Sequence, residues 1–145
     1  EKGKEYMESF KLGAVRLYDK RDKKASWLKL EEWLANLPRK NIKNIIGIGG
    51  NARSIVKINN NKEYLSRKEL YKTYMTLSLM SKVEKINTFS LSDDRADIIE
   101  YAALIFMVIL KRFDSANFYS STWNLSDGMV KQWLDLKNSN QKIFA

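Results

Sequence analysis

The sequence predicts a single helix-rich α/β or α+β domain with a short mixed sheet, and three observations predict it. The chain has 145 residues, with 44% hydrophobic and 30% charged positions, the size and balance of one globular domain with its own core. Two Ser-x-x-Glu sequences, Ser66–Glu69 and Ser81–Glu84, fit the capping box in which Ser and Glu side chains satisfy free amides at a helix start. The stretch "NIIGIGGNARSIVKI" (44–58) passes from branched aliphatics through glycines into a helical apolar pattern, the order strand, turn, helix. There is no internal repeat, and no Pro/Gly-rich linker divides residues 1–145.

The elements follow in order. "EYMESFKLG" (5–13) reads as a strand, with Met7, Ser9 and Lys11 alternating against Tyr6, Phe10 and Leu12, and Gly13 breaks it before "AVRLYD". The charged loop "DKRDKKAS" leads into a helix over about 26–37, whose apolar face is Trp27, Leu30, Leu34 and Leu37 and which Pro38 ends. "NIIGI" then reads as a buried strand, and the next helix uses Ala52, Ile55 and Val56. The "NNNK" run (59–62) is a surface loop before the two capped helices, at about 67–80 and 82–88. Ser92–Asp94 places acids at the start of a helix over about 94–112, where they favour the macrodipole, and Ile98, Ile99, Ala102, Ile105, Phe106 and Ile109 are its core positions. "SANFYSST" (115–122) is a strand candidate, and "LSDGMVKQWLDLK" (125–137) a last amphipathic helix through Met129, Val130, Trp133 and Leu134.

Composition excludes several chemistries within this chain. Without cysteine there is no disulfide, thiolate metal site or cysteine nucleophile. Without histidine there is no Ser-His-Asp relay and no imidazole zinc site. Acid–base work falls to carboxylates, Lys, Tyr or another segment. A net charge of +9 favours an anionic partner, although a solvated basic surface accounts for many single lysines. The apolar run "YAALIFMVIL" (101–110) falls short of the about 20 residues a membrane span needs, and no signal-peptide pattern opens the chain. The expectation is a cytoplasmic protein with no membrane association, in which something precedes Glu1.

The glycines admit several readings. A P-loop is excluded, because no Gly-Lys-Ser/Thr follows. A dinucleotide fingerprint finds Ala52 where its third glycine stands, and no acid ends a second strand downstream. The K-homology RNA module has an Ile-Gly-x-x-Gly loop that Ile46, Gly47 and Gly50 match, but position 53 is Arg where that module has Ile, and the loop follows a strand. Two readings remain level, a tight turn and a phosphate-binding helix start. Asn51, read as the N-cap, and Arg53, read into the first helical turn as a forked donor, tilt the balance toward phosphate.

Several segments, in order, resemble the exopolyphosphatase/guanosine-pentaphosphate phosphohydrolase family. "SFKLGAVRL" (9–17) resembles its Ser-Leu-x-Leu-Gly-x-Val-Arg-Leu segment, and "GIGGNARSIVKI" (47–58) its Gly-x-Gly-Gly-Thr motif and following helix. "LSRKEL" and "MSKVEKI" are similar to the helical stretch beyond, "DDRADII" to its Arg-Ala-Asp motif, and "LSDG" (125–128) to its Leu-Arg-Glu/Asp-Gly. Asn51 replaces the usual Thr and Ser126 the usual Arg.

The resemblance implies a ribonuclease H-like, actin-like ATPase fold in which two domains enclose the site. It implies Mg²⁺-assisted hydrolysis of a terminal phosphoanhydride, from polyphosphate or guanosine pentaphosphate, with guanosine tetraphosphate as a ligand of any non-hydrolysing homologue. The family's Asp-x-Gly-Gly-Gly-Ser loop and the segment bearing its catalytic carboxylate have no counterpart here. The chain is therefore expected to be the C-terminal portion of a two-domain phosphohydrolase, with no catalytic residue or metal ligand of its own. Carried over as phosphate-binding candidates are Gly47, Gly49, Gly50, Asn51, Arg53, Gly13, Arg16 and, more weakly, Arg95, which together with Asp97 is first read as fixing a helix start. Glu31, Glu32, Glu100 and Asp127 read as solvated or capping groups. A homodimer is left open, nucleic acid is disfavoured, and the competing reading is a non-catalytic basic module for RNA or nucleotide.

Overall fold

Helix initiation signals account for much of the architecture. In a computed structural model that describes residues 5–38, 42–113 and 115–141, the elements run α1 (Ala14–Tyr18), α2 (Lys24–Asn36), β1 (Asn44–Gly47), α3 (Gly50–Ile58), α4 (Arg67–Leu79), α5 (Lys82–Phe89), α6 (Asp93–Lys111), β2 (Asn117–Ser120) and α7 (Leu125–Gln141). Both capping boxes form: Ser66 and Ser81 accept from the amides of Glu69 and Glu84, whose carboxylates accept in return from the Ser66 and Ser81 amides. Asp93 and Asp94 occupy the first turn of α6 behind its N-cap, Ser92. Asn124 and Asp127 exchange side-chain-to-amide bonds of 2.7 and 3.1 Å at the start of α7.

The longest helix, α6, is the axis of the domain, with α1, α3, α4 and α5 packed around it. Its fully buried positions are Ala96, Ile99, Ala102, Ala103 and Leu110. Small alanines hold three of these positions, and the larger Ile98, Phe106 and Ile109 flank the core half-buried. Arg112, at the end of α6, donates to the carbonyls of Leu34 and Ala35 at 3.0 and 2.8 Å, tying the last turn of α2 to α6.

Among the described residues the sheet is two parallel strands, with Asn44 opposite Asn117 and Gly47 opposite Ser120. Phe118 is its buried centre. It exchanges backbone bonds of 2.8 Å with Leu65 and packs its ring 4.8 Å from that of Phe106.

Three local expectations are corrected. Residues 5–12 form no strand: among the described residues no partner strand reaches them, and Phe10 and Leu12 pack on the core from an irregular segment, Phe10 edge-on to Trp33 at 5.6 Å. The strand at "NIIGI" is not buried throughout. It ends at Gly47, and with one face uncovered Ile46 is 61% and Ile48 66% exposed. On α7, Met129, Val130, Trp133 and Leu134 are aligned as expected but stand exposed.

Candidate functional site

The parallel pairing brings the C-terminal ends of β1 and β2 to one edge, where ligands of open α/β sheets bind. From that edge β1 passes directly into the glycine loop and α3, so the loop joins a strand to a helix. Each glycine there has its own cause. A Cβ on Gly47 would come within 2.7 Å of both the Ala52 Cβ and the Phe118 ring, so its absence lets the strand end lie flat on the core. Gly49 has φ 101 and ψ 178, a conformation reserved for glycine, with open space around it. A Cβ on Gly50 would stand 2.5 Å from Nη1 of Arg95. The guanidinium of α6 thus lies directly against the first residue of α3.

This geometry corrects the reading of Asn51. The N-cap is Gly49, which has no side chain to offer, because its positive φ turns the chain into the helix one residue before Gly50. Asn51 is the second helical residue, and its Oδ1 accepts from Nη1 of Arg95 at 3.0 Å. The first helical amides, those of Gly50, Asn51 and Ala52, have no acceptor within their own helix, and the macrodipole adds partial positive charge there. Arg95 therefore does not fix the start of its own helix by its side chain; it reaches across to α3.

Two acids close to Arg95 in sequence, Asp93 and Asp97, are engaged elsewhere. Lys82 donates to Asp93 at 2.6 Å and Asp97 at 2.8 Å, and these bonds raise its pKa above the usual lysine range. The Ser92 hydroxyl, helped by Arg95, holds Asp94 below the usual carboxylate range.

Gly47, Gly49, Gly50, Asn51 and Arg95 form one cluster. Arg53 is exposed one turn into α3, its amide bonded to the Gly49 carbonyl at 3.3 Å, and no described residue pairs with its side chain. Gly13 caps α1 with extended backbone, and Arg16 is exposed on that helix; neither is joined to the loop by a hydrogen bond or ion pair. Glu31 and Glu32 are exposed, while Glu100, half-buried, accepts from the buried Lys85 and is no cap. The described residues contain no cluster of three or more His, Cys, Asp or Glu fit to hold a metal ion, and no described helix is long and apolar enough to cross a membrane.

Sequence reasoning passed over the hydroxyls at and just beyond the end of β2. The Ser121 amide donates to the Gly47 carbonyl at 2.9 Å, which seats Ser120, Ser121 and Thr122 beside the loop. With Asn44, Ile46 and Tyr119 they line an open cleft of about 350 Å³. Their signal was present, a "SST" run directly after a strand candidate, but only the parallel register shows that it meets the glycines.

The chain is similar to solved proteins of one family. A crystal structure of the Ppx/GppA family member of Aquifex aeolicus is 22% identical and superposes with a TM-score of 0.65, over 87% of this chain and 47% of that one. An exopolyphosphatase from Cytophaga hutchinsonii is 21% identical with a TM-score of 0.62, over 84% of this chain and 41% of that one. The chain thus spans about half the length of the solved structures it matches, and its fold is theirs, the actin-like ATPase fold. No curated protein sequence matches it significantly. The model of the Ppx/GppA phosphatase family matches residues 4–137, nearly the whole chain, and the chain therefore belongs to the Ppx/GppA phosphatase family.

Proposed function

We propose that this chain is part of a phosphohydrolase that cleaves the terminal phosphoanhydride of inorganic polyphosphate or guanosine pentaphosphate, and that the turn from β1 into α3 is one wall of its phosphate site. Family membership supports the reaction class, and the exopolyphosphatase of C. hutchinsonii supports the substrate. The observation that carries the site is the Arg95 guanidinium laid on Gly50 and bonded to Asn51, beside helix amides without acceptors. Such an edge binds phosphoryl oxygens through fixed N–H donors and stabilises charge that grows on them during transfer. Arg53, one turn along, adds a second forked cation, and the hydroxyls of Ser120–Thr122 border the same edge. In this reading Gly13 and Arg16 touch phosphate only through a ligand long enough to reach them.

The carboxylate base, and ligands for Mg²⁺ if the family's metal is used, are proposed to lie outside the residues described. The metal would supply charge neutralisation to the anhydride; the residues named here bind and orient. The test is phosphate release from polyphosphate and from guanosine pentaphosphate, with Mg²⁺, by a protein containing this chain and the family's upstream domain. Release that falls sharply in Arg95→Ala supports the proposal. An intact parent that releases phosphate from neither substrate refutes it. The 145-residue chain alone is expected to bind tripolyphosphate without turning it over, and robust turnover by it would refute the division of labour.

A further inference from the structure

Asn51 and Arg95 are 44 residues apart and stand on different helices, α3 and α6, yet their side chains meet at 3.0 Å. Gly50 makes the room, since a Cβ there would stand 2.5, 2.8 and 3.0 Å from Nη1, Nη2 and Cζ of Arg95. Space alone gives the guanidinium no direction. Asn51 supplies one: its Oδ1 accepts from Nη1, and turning the amide over would set donor against donor. Both residues are half-buried, and among the described residues no other side-chain hydrogen bond holds Arg95. Asp94, which feels the Arg95 charge, takes its first hold from the Ser92 hydroxyl. The chemistry of the acceptor matters as much as its place. A carboxylate at position 51 would orient Arg95 equally well but neutralise it, whereas an amide orients it and leaves the full positive charge beside the first amides of α3.

We propose, on the phosphate-site reading above, that Asn51 is a positioning residue: as a neutral acceptor it holds the Arg95 guanidinium in the orientation that meets phosphate, and it acts through Arg95 without touching the anion itself. Stability and affinity then respond separately to changes at position 51. Alanine is a better helix former than asparagine at the second helical position, and an aspartate in a first turn favours the macrodipole. Neither substitution should therefore unfold α3, although both should weaken anion binding.

The test is calorimetric titration of the purified chain with tripolyphosphate at constant salt, alongside thermal melts, for Asn51→Ala, Asn51→Asp, Arg95→Ala and the double variant Asn51→Ala with Arg95→Ala. Asn51→Ala should weaken binding roughly three- to tenfold, less than Arg95→Ala does, and should add less than about twofold once Arg95 is gone. Asn51→Asp should melt no lower than the native chain yet bind roughly tenfold or more weakly, because it keeps the acceptor and cancels the charge. Native affinity in either Asn51 variant, or a full Asn51→Ala effect in the absence of Arg95, would overturn the positioning role while leaving the phosphate site standing. If Asn51→Ala does not fold, Asn51→Asp decides. A native chain that binds no tripolyphosphate, or binding that Arg95→Ala leaves unchanged, would instead overturn the phosphate-site reading and the role of Asn51 together.

Discussion

Gly50→Ala separates the stability of this domain from its proposed anion site. The added Cβ would stand 2.5, 2.8 and 3.0 Å from Nη1, Nη2 and Cζ of Arg95, so the guanidinium must leave. What yields is the far end of a flexible side chain, not backbone. The loss is the charge-assisted bond to Asn51, 3.0 Å long and half-buried, worth about 1.5 kcal/mol at the low end for such bonds. Against it, alanine at a first helical position without positive φ gains about 0.4–1 kcal/mol by restricting the unfolded chain. The net change is about 1 kcal/mol or less, a shift in Tm of about 4 °C at most for a domain of this size. Anion affinity is expected to respond differently, because displacing one forked cation removes about 1.5–3 kcal/mol, or roughly 10- to 100-fold in Kd. Calorimetric titration with tripolyphosphate at constant salt, alongside thermal melts, measures both. Arg95→Ala should show a similar loss, and the double variant scarcely more than either single one. A melted Gly50→Ala protein, an unchanged Kd or additive losses would refute the reasoning.

Other perturbations have equally specific outcomes. Gly47→Ala places a methyl group 2.7 Å from both Ala52 and the fully buried Phe118, and should cost about 1–3 kcal/mol in urea unfolding. Gly49→Ala meets no atom but forces alanine into φ 101, and a similar loss of about 1–3 kcal/mol is expected from the backbone alone. Lys85→Ala leaves the partly exposed Glu100 carboxylate without its cation, a loss of about 1–3 kcal/mol by denaturation, whereas Lys85→Met with Glu100→Gln should recover much of it. The Glu69 carboxyl is lowered to about 2, chiefly by Lys62 and then by Ser66. Its folded pKa lies below its unfolded value, so its contribution is present above the usual glutamate range and lost as pH falls toward 2. Melts from pH 6 to pH 2 should show the advantage of the native protein over Glu69→Gln shrinking across that window.

Features encoded within a few residues were legible. Ser66, Ser81 and the acids behind Ser92 mark helix starts through bonds that span one turn, and the structure forms those helices within a residue or two of expectation. The glycine loop was legible as a strand-to-helix turn for the same reason. Features set by distant contacts were not. The alternation in residues 6–12 is that of a strand, but pairing needs a partner edge, and the segment instead lends Phe10 to Trp33. Asn51 has the chemistry of a cap, yet the φ of Gly49 moved the helix start and released Asn51 to Arg95. Ser120–Thr122 became part of the site only through the register of β2 against β1.

That register has a consequence for the order in which the domain assembles. Asn44 pairs with Asn117, so four helices must be spanned before the two strands meet, while the capping boxes of α4 and α5 close over single turns. Loop closure of that length costs entropy that local turns do not incur. The edge presenting Gly47 to Asn51 is thus expected to mature late, after the helical scaffold has formed. In pulse-labelled hydrogen exchange during refolding, amides of β1 and β2 should gain protection after those of α4 to α6, and the opposite order would show that the strand pair nucleates the fold.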